Sequence, residues 1–364
     1  EGQMGQRMVA VIFHHPDQFG KRYRLATTQD SRVYERATAY LRDSLDKWFY
    51  LGSALPSEEC RGTFASNAQG GRYSFFTFSD YFNSRQQLAL LTFLKRVRDS
   101  VEEIKRDCSK IVADFGDSRV DASGLARAVS AYLGLILSRQ ADRSSTLGRL
   151  DVTRESLQGT YSRQAISMTW DYAEVSPLSG SSGSWASNTD WILRYLVGHP
   201  REASARSKVD MSTATDLPFS EDHFDAVLTD PPYYDNVAYA DLSDFFYVWL
   251  KRAVGDLFPE LFATPLVPKA EEAIMDPLRH ESEDSAQAFF EKMLKDSFQE
   301  THRVLKTGGI AVVVYAHTTT AGWETMLNAL LEAGLVVTSS WPIHTEMKAR
   351  LVAARRAALA SSIY

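Results

Sequence analysis

Residues 224–233 read Phe-Asp-Ala-Val-Leu-Thr-Asp-Pro-Pro-Tyr, FDAVLTDPPY. The first six are short, apolar and β-prone, as a strand buried on both faces is, and the last four are a turn with its own chemistry. Working downstream, SDFFYVWLKR continues as a helix. Residues 287–305 form a second amphipathic helix, with Phe290, Leu294 and Phe298 at i, i+4 and i+8 and an LKTGG stop. Ile310–Ala316 reads as a strand, 320–333 as a helix ended by Gly334, and Leu335–Ser339 as another strand. Strand and helix alternating in this way imply an α/β chain with a doubly wound, mainly parallel sheet. In such a sheet ligands bind beyond the carboxyl ends of the strands, and Asp230-Pro231-Pro232-Tyr233 stands at one of them.

Upstream the texture is more helical. Residues 8–13 (MVAVIF) are strand-like. Residues 33–50 and 82–107 are amphipathic helices, and 122–138 is a nearly all-apolar helix that neighbours should bury on every side. The Gly/Ser-rich run 176–188 (SPLSGSSGSWASN) is the clearest internal boundary. The organisation expected is an accessory, mainly helical region over 1–120, a helical segment with the Gly/Ser loop over 121–200, and a catalytic region over 201–364.

Of 364 residues, 44% are hydrophobic and 24% charged, which fits a globular protein and excludes a fibre or a disordered chain. Forty basic against forty-six acidic residues give a net charge of −6, so any nucleic-acid surface has to be local. Basic clusters stand at Lys21, Arg22 and Arg24, at Lys95, Arg96 and Arg98, and at Lys348, Arg350, Arg355 and Arg356; each is also what a solvated face looks like. The longest apolar runs, AYLGLIL and AVVVYA, are far short of the roughly 20 residues that cross a bilayer. No secretory leader opens the chain, and the expectation is a cytoplasmic protein. Cys60 and Cys108 are too few for a zinc knuckle, and no metal site is expected. The chain opens on Glu1 and stops at SSIY, which reads as a strand cut short, so a fragment is expected.

The chemistry at 230–233 follows from the residue types. Two consecutive prolines fix φ and remove two backbone donors, leaving carbonyls to face a ligand. The Asp230 carboxylate and the Pro231 carbonyl can accept the two N–H bonds of an exocyclic amine, drawing its lone pair out of ring conjugation. Tyr233 offers a flat face for a base extruded from a duplex. Such a motif recognises a planar amine rather than adenine as such. A rigid turn after a strand is the bland alternative; the aromatic continuation Tyr234, Tyr239, Phe245, Phe246, Tyr247 and Trp249 favours the functional one.

TDPPYYDNVAYADLSDFFYVWLKR (229–252), LFPELFATPL (257–266), RVLKTGGIAVVVYAHTTTAGWE (303–324) and SSWPIHTEM (339–347) resemble the large prokaryotic adenine-specific DNA methylases that contain a zinc ribbon. The similarity extends upstream through EGQMGQRMVAVI, SRQADRSSTLGRLD, RQAISMTWDYAEVSPLSGSSGSW and LPFSEDHFDAVL, and so covers most of the chain. The resemblance implies a class I, Rossmann-like methyltransferase fold, S-adenosyl-L-methionine as cofactor, DNA as partner and a restriction-modification or phage-defence setting. It carries the base-binding and catalytic role onto Asp230, Pro231, Pro232 and Tyr233. Cofactor contact falls on Thr213, Asp216 and Leu217 in MSTATDLPF, where Thr213 stands in the place of a usual Asp. Tyr234, His317 and Arg143 are substrate candidates, although Tyr234 can also be core and His317 a structural histidine. The polar run Arg139, Gln140, Asp142, Arg143, Ser144 and Ser145 lines a DNA channel or caps a helix, and His344 and Glu346 stay open.

Two family features are missing: the zinc ribbon and a good copy of the glycine-rich cofactor loop. The nearest stretches to that loop are ADFGDSR (113–119) and SGSSGSW (179–185). Both gaps close if a further segment or chain supplies them, which would also cover the apolar edge that FDAVLT otherwise exposes. The expected activity is methyl transfer to adenine N6 in DNA. Cytosine N4 or RNA amine transfer, and a non-catalytic nucleic-acid-binding subunit, are the alternatives.

Overall fold

The computed structural model describes residues 5–15, 17, 20–48, 53–60, 75–116, 121–161, 169–198, 207–233, 237–317, 319–343 and 362–363. Tyr234, His344, Glu346 and the basic cluster at 348–356 lie outside them. The chain divides into two compact bodies, Glu1–Arg201 with Tyr239–Lys269, and Glu202–Ala238 with Ala270–Tyr364. The Gly/Ser run 176–188 therefore lies inside the first body and is not a boundary. Tyr239–Lys269, expected with the segment after 201, belongs with the first body.

The first body is mainly helical. A hairpin of β1 (Ala10–His14) and β2 (Lys21–Leu25) leads into α1 (Thr28–Ser44). The helix expected over 82–107 is two, α2 (Ser84–Asp99) and α3 (Val101–Phe115). Ser100 stands between them, its hydroxyl donating to the Val97 carbonyl at 2.8 Å and so competing with the helical backbone bonds there. The apolar helix is α4 (Ala122–Arg143), followed by a hairpin of β3 (Arg149–Asp151) and β4 (Ser156–Gln158), and by α5 (Trp185–Gly198). Contrary to expectation, α4 is not buried all round, since Val129 and Leu135 are exposed. Its neighbours cover one side, where Gly134 lets Leu250 and Val254 of α6 (Tyr239–Val254) approach to where a Cβ would meet them at 3.3 Å.

That α6 contact explains DFFYVW. Phe245, Val248 and Trp249 are fully buried and interlock with Tyr81 and Phe82, whose rings lie 5.7 Å from Phe245; Phe82 is 5.5 Å from Trp249. The aromatic continuation after the motif is thus largely core packing, and it does not favour a base-binding role.

In the second body β5 (Phe224–Thr229) pairs in parallel with β6 (Leu305–Val313), with Ala226 opposite Ile310 and Thr229 opposite Val313. The intervening α7 (Glu283–Val304) starts where the Ser282 hydroxyl accepts the Ser285 N–H at 3.1 Å, an N-cap. Its stripe of Phe290, Leu294 and Phe298 packs with Tyr315 and with Met326, Ala329 and Leu330 of α8 (Thr320–Glu332). Val313 faces this core, while Leu228 and Ile310, on the other face of the pair, are 75% and 65% exposed.

Among the described residues every sheet is a pair, so what stands of the sheet expected from the alternation is β5–β6. Leu335–Ser339 is not a strand. Val336 and Val337 are exposed, and no described strand pairs with them, which a β-strand requires. Pro342–Ile343 (β7) pairs antiparallel with Ser362–Ile363 (β8). No helix among the described residues is long and apolar enough to cross a membrane.

Candidate functional site

The two parallel strands end together. The Val314 N–H donates to the Thr229 carbonyl at 2.9 Å, so Asp230–Tyr233 and Val314–His317 leave the sheet side by side at its carboxyl end. Asp230 and Pro232 are exposed, Pro231 and Tyr233 half-buried. The Tyr233 hydroxyl donates to Asp230 Oδ1 at 3.0 Å. Among the described residues none donates to the Pro231 carbonyl.

Tyr233 rests on a ladder of aromatic rings. Its ring meets Tyr315 edge-to-face at 5.2 Å and 83°, and Tyr315 meets Trp323 at 5.2 Å and 89°. Tyr315 is buried, with its hydroxyl donating to the Gly322 carbonyl at 3.1 Å. His317 lies parallel to Tyr315 at 6.2 Å, and its carbonyl accepts from Trp323 Nε1 at 3.0 Å. The Thr319 N–H donates to His317 Nδ1 at 3.1 Å, and the Thr319 hydroxyl stands 3.0 Å from the same nitrogen. A Cβ on Gly322 would collide with that imidazole. His317 is thus both an oriented structural group and a neighbour of the motif.

The Thr213–Leu217 segment precedes β5 as a tight loop, closed by a bridge between Thr213 and Asp216. It is tied to α7 on both sides of one peptide: Leu217 N–H donates to Glu300 Oε2 at 2.9 Å, and its carbonyl accepts from Arg303 at 3.0 Å. The Arg303 guanidinium in turn holds Glu300 well below the ordinary carboxylate range, at about 2. Leu217 therefore has no backbone polar atom to spare. The half-buried Thr213 hydroxyl and the exposed Asp216 carboxylate are the groups in this loop whose chemistry fits an adenosine amine or hydroxyl.

Arg143 belongs to the first body. Its guanidinium donates to the Leu157 carbonyl and stands 4.0 Å from Asp142. The rest of the polar run is knitted together: Gln140 donates to Ser144 and to the Gly183 carbonyl, Asn188 to Gln140, and Arg139 to Asn188. These bonds stitch α4 to the Gly/Ser loop, so the run serves packing. Burial pushes the Asp142 carboxyl up.

Among the described residues, neither stretch closest to the missing loop directly follows a strand. Gly116 of ADFGDSR is the left-handed C-cap of α3, at φ 62°, where carbonyls point outward. In SGSSGSW the Gly183 N–H already donates to the Ser187 hydroxyl at 3.0 Å. Cys60 and Cys108 are buried, free thiols. Among the described residues no three His, Cys, Asp or Glu side chains converge as a metal site would. Tyr315, Gly322 and Trp323 were not singled out by sequence reasoning. The signal for Tyr315 was its place in the strand alternation, two residues after Val313.

Comparison with family models, with curated proteins and with solved structures finds no match to this chain.

Proposed function

We propose that this chain is the catalytic part of a class I, Rossmann-like methyltransferase that acts on the N6 amine of adenine in DNA. The observation that carries the proposal is the position of Asp230-Pro231-Pro232-Tyr233 at the shared carboxyl end of two parallel strands, its carboxylate already held by Tyr233. Asp230 and the Pro231 carbonyl accept the two amine N–H bonds and turn the nitrogen lone pair out of the ring. Tyr233 stacks on the extruded base. His317 borders the base. Thr213 and Asp216 would hold S-adenosylmethionine, whose sulfonium methyl would need no further activation: the amine nitrogen would bond to the methyl carbon as its bond to sulfur breaks, releasing S-adenosylhomocysteine, and the surplus amine proton would leave to solvent. The chain's own contribution is orientation and exclusion of water.

The proposal includes a further segment or chain that completes the sheet and brings the glycine-rich cofactor loop. It is supported by the open face at Leu228 and Ile310, since parallel strands with apolar residues on both sides are ordinarily covered on both.

The test is transfer of labelled methyl from S-adenosylmethionine to duplex DNA, followed by identification of the modified base. N6-methyladenine supports the proposal. N4-methylcytosine or labelled RNA would redirect it to those amines, and DNA binding without transfer would favour a non-catalytic subunit. Calorimetric titration with the cofactor, with and without the segment that completes the sheet, locates the cofactor loop.

A further inference from the structure

We propose that Tyr315 is a positioning residue for the Asp230 carboxylate, acting through Tyr233; this rests on the amine-transfer reading above. Asp230 is exposed on a turn, and an exposed carboxylate rotates unless something holds it. Among the described residues its hydrogen bond is the one from the Tyr233 hydroxyl to Oδ1, at 3.0 Å. Pro231 and Pro232 fix the backbone between the two partners, so where the Tyr233 ring sits decides where the carboxylate points.

The ring is placed from below. It packs on the α7–α8 core and meets Tyr315 edge-to-face at 5.2 Å. Tyr315 is 2% exposed, and its ring is fixed by the core that encloses it and by the perpendicular Trp323 ring. Orientation thus passes from the core through Tyr315 to Tyr233 and on to Oδ1, leaving Oδ2 to accept the amine. Tyr233 then has two tasks, a ring face for the base and a hydroxyl for Asp230.

Three variants separate these tasks: Tyr233→Phe keeps the ring and loses the hydroxyl, Tyr315→Leu loses the ring contact, and Tyr315→Phe keeps it. In steady-state methyl transfer by the assembled protein, Tyr233→Phe and Tyr315→Leu should each lower kcat about tenfold while leaving KM unchanged, and Tyr315→Phe should restore kcat. A second readout needs no activity. With selectively 13C-labelled aspartate, the Asp230 carboxyl resonance, assigned through Asp230→Asn, should shift or broaden in Tyr233→Phe and Tyr315→Leu but not in Tyr315→Phe. An unmoved resonance with unchanged kcat in Tyr233→Phe would overturn the proposal, as would equal losses in both Tyr315 variants. If wild type transfers no methyl but the resonance moves as expected, the functional reading fails and the positioning role stands. Should Tyr315→Leu not fold, Tyr315→Met, which also removes the ring contact but fills more of the volume, takes its place with the same expected shift and the same refuting result.

Discussion

Replacing Asp230 by alanine should abolish transfer without unfolding the protein. Asp230 is exposed, and its bond within the described residues is to the Tyr233 hydroxyl, which water can satisfy once the carboxylate is gone. The stability change should therefore stay within about 0.5 kcal/mol. The catalytic loss is larger. A charge-assisted hydrogen bond to the reacting amine is worth about 3 kcal/mol, or about two decades of rate. Freeing the amine to rotate away from the methyl donor costs about two more. Asp230→Ala should then lose about four decades in kcat. Asp230→Asn retains an oxygen acceptor and a partner for Tyr233, so it should lose about one or two. Single-turnover methyl transfer, with thermal unfolding as the control, measures both. Alanine activity within about tenfold of wild type, or equal losses in the two variants, would refute the assignment.

Three further outcomes concern the scaffold. Glu300, held at about 2 against an ordinary 4.5, stabilises the fold above its unfolded value, and that stabilisation is lost as pH falls from 4.5 towards 2; Glu300→Gln should flatten this limb of a denaturant-midpoint profile. Asp142 has the opposite sign: burial raises it, so its contribution is fully present below its unfolded value and declines as pH rises through the folded one. Asp142→Asn, whose amide oxygen can still accept the Tyr161 N–H, should unfold at equal or higher denaturant near neutral pH. Arg252 is buried and pairs twice with Glu58, at 2.9 and 3.0 Å, so Arg252→Met should cost about 3–5 kcal/mol in chemical unfolding by leaving that carboxylate without its partner.

What could be read from the chain depended on whether the determining partner was local. FDAVLT is a strand with the bounds expected, and Gly334 ends α8, because β-branched runs and glycine stops act over a few residues; α7 begins at Glu283 after the Ser282 cap, earlier than the 287 expected, and LKTGG opens β6. Leu335–Ser339 carries the same β-prone composition and forms no strand, because composition does not bring a segment beside another strand's edge, and no described strand pairs with it. The aromatics after the motif were ambiguous for a similar reason. Phe245 and Trp249 look alike in sequence whether they line a base pocket or fill a core, and only Tyr81 and Phe82, more than 150 positions upstream, settle it in favour of the core.

The candidate site divides along the same line. Asp230-Pro231-Pro232-Tyr233 was legible because its strand context and its residue chemistry are contiguous, whereas Tyr315 was not, being more than 80 positions away and recognisable only when β6 lies beside β5. The separation has a physical consequence. The groups proposed to meet the base lie on an exposed turn, and the groups beneath them lie in the α7–α8 core, which is close-packed and transmits displacement instead of absorbing it. Cavities cut far from the turn should therefore be felt at the carboxylate. Phe298→Ala, at a 2% exposed position of that core, should cost about 3–5 kcal/mol of stability. It should also disturb the Asp230 resonance well below its melting temperature. A resonance that stays sharp in that variant would mean that the turn holds its own geometry and that the core beneath it is support alone.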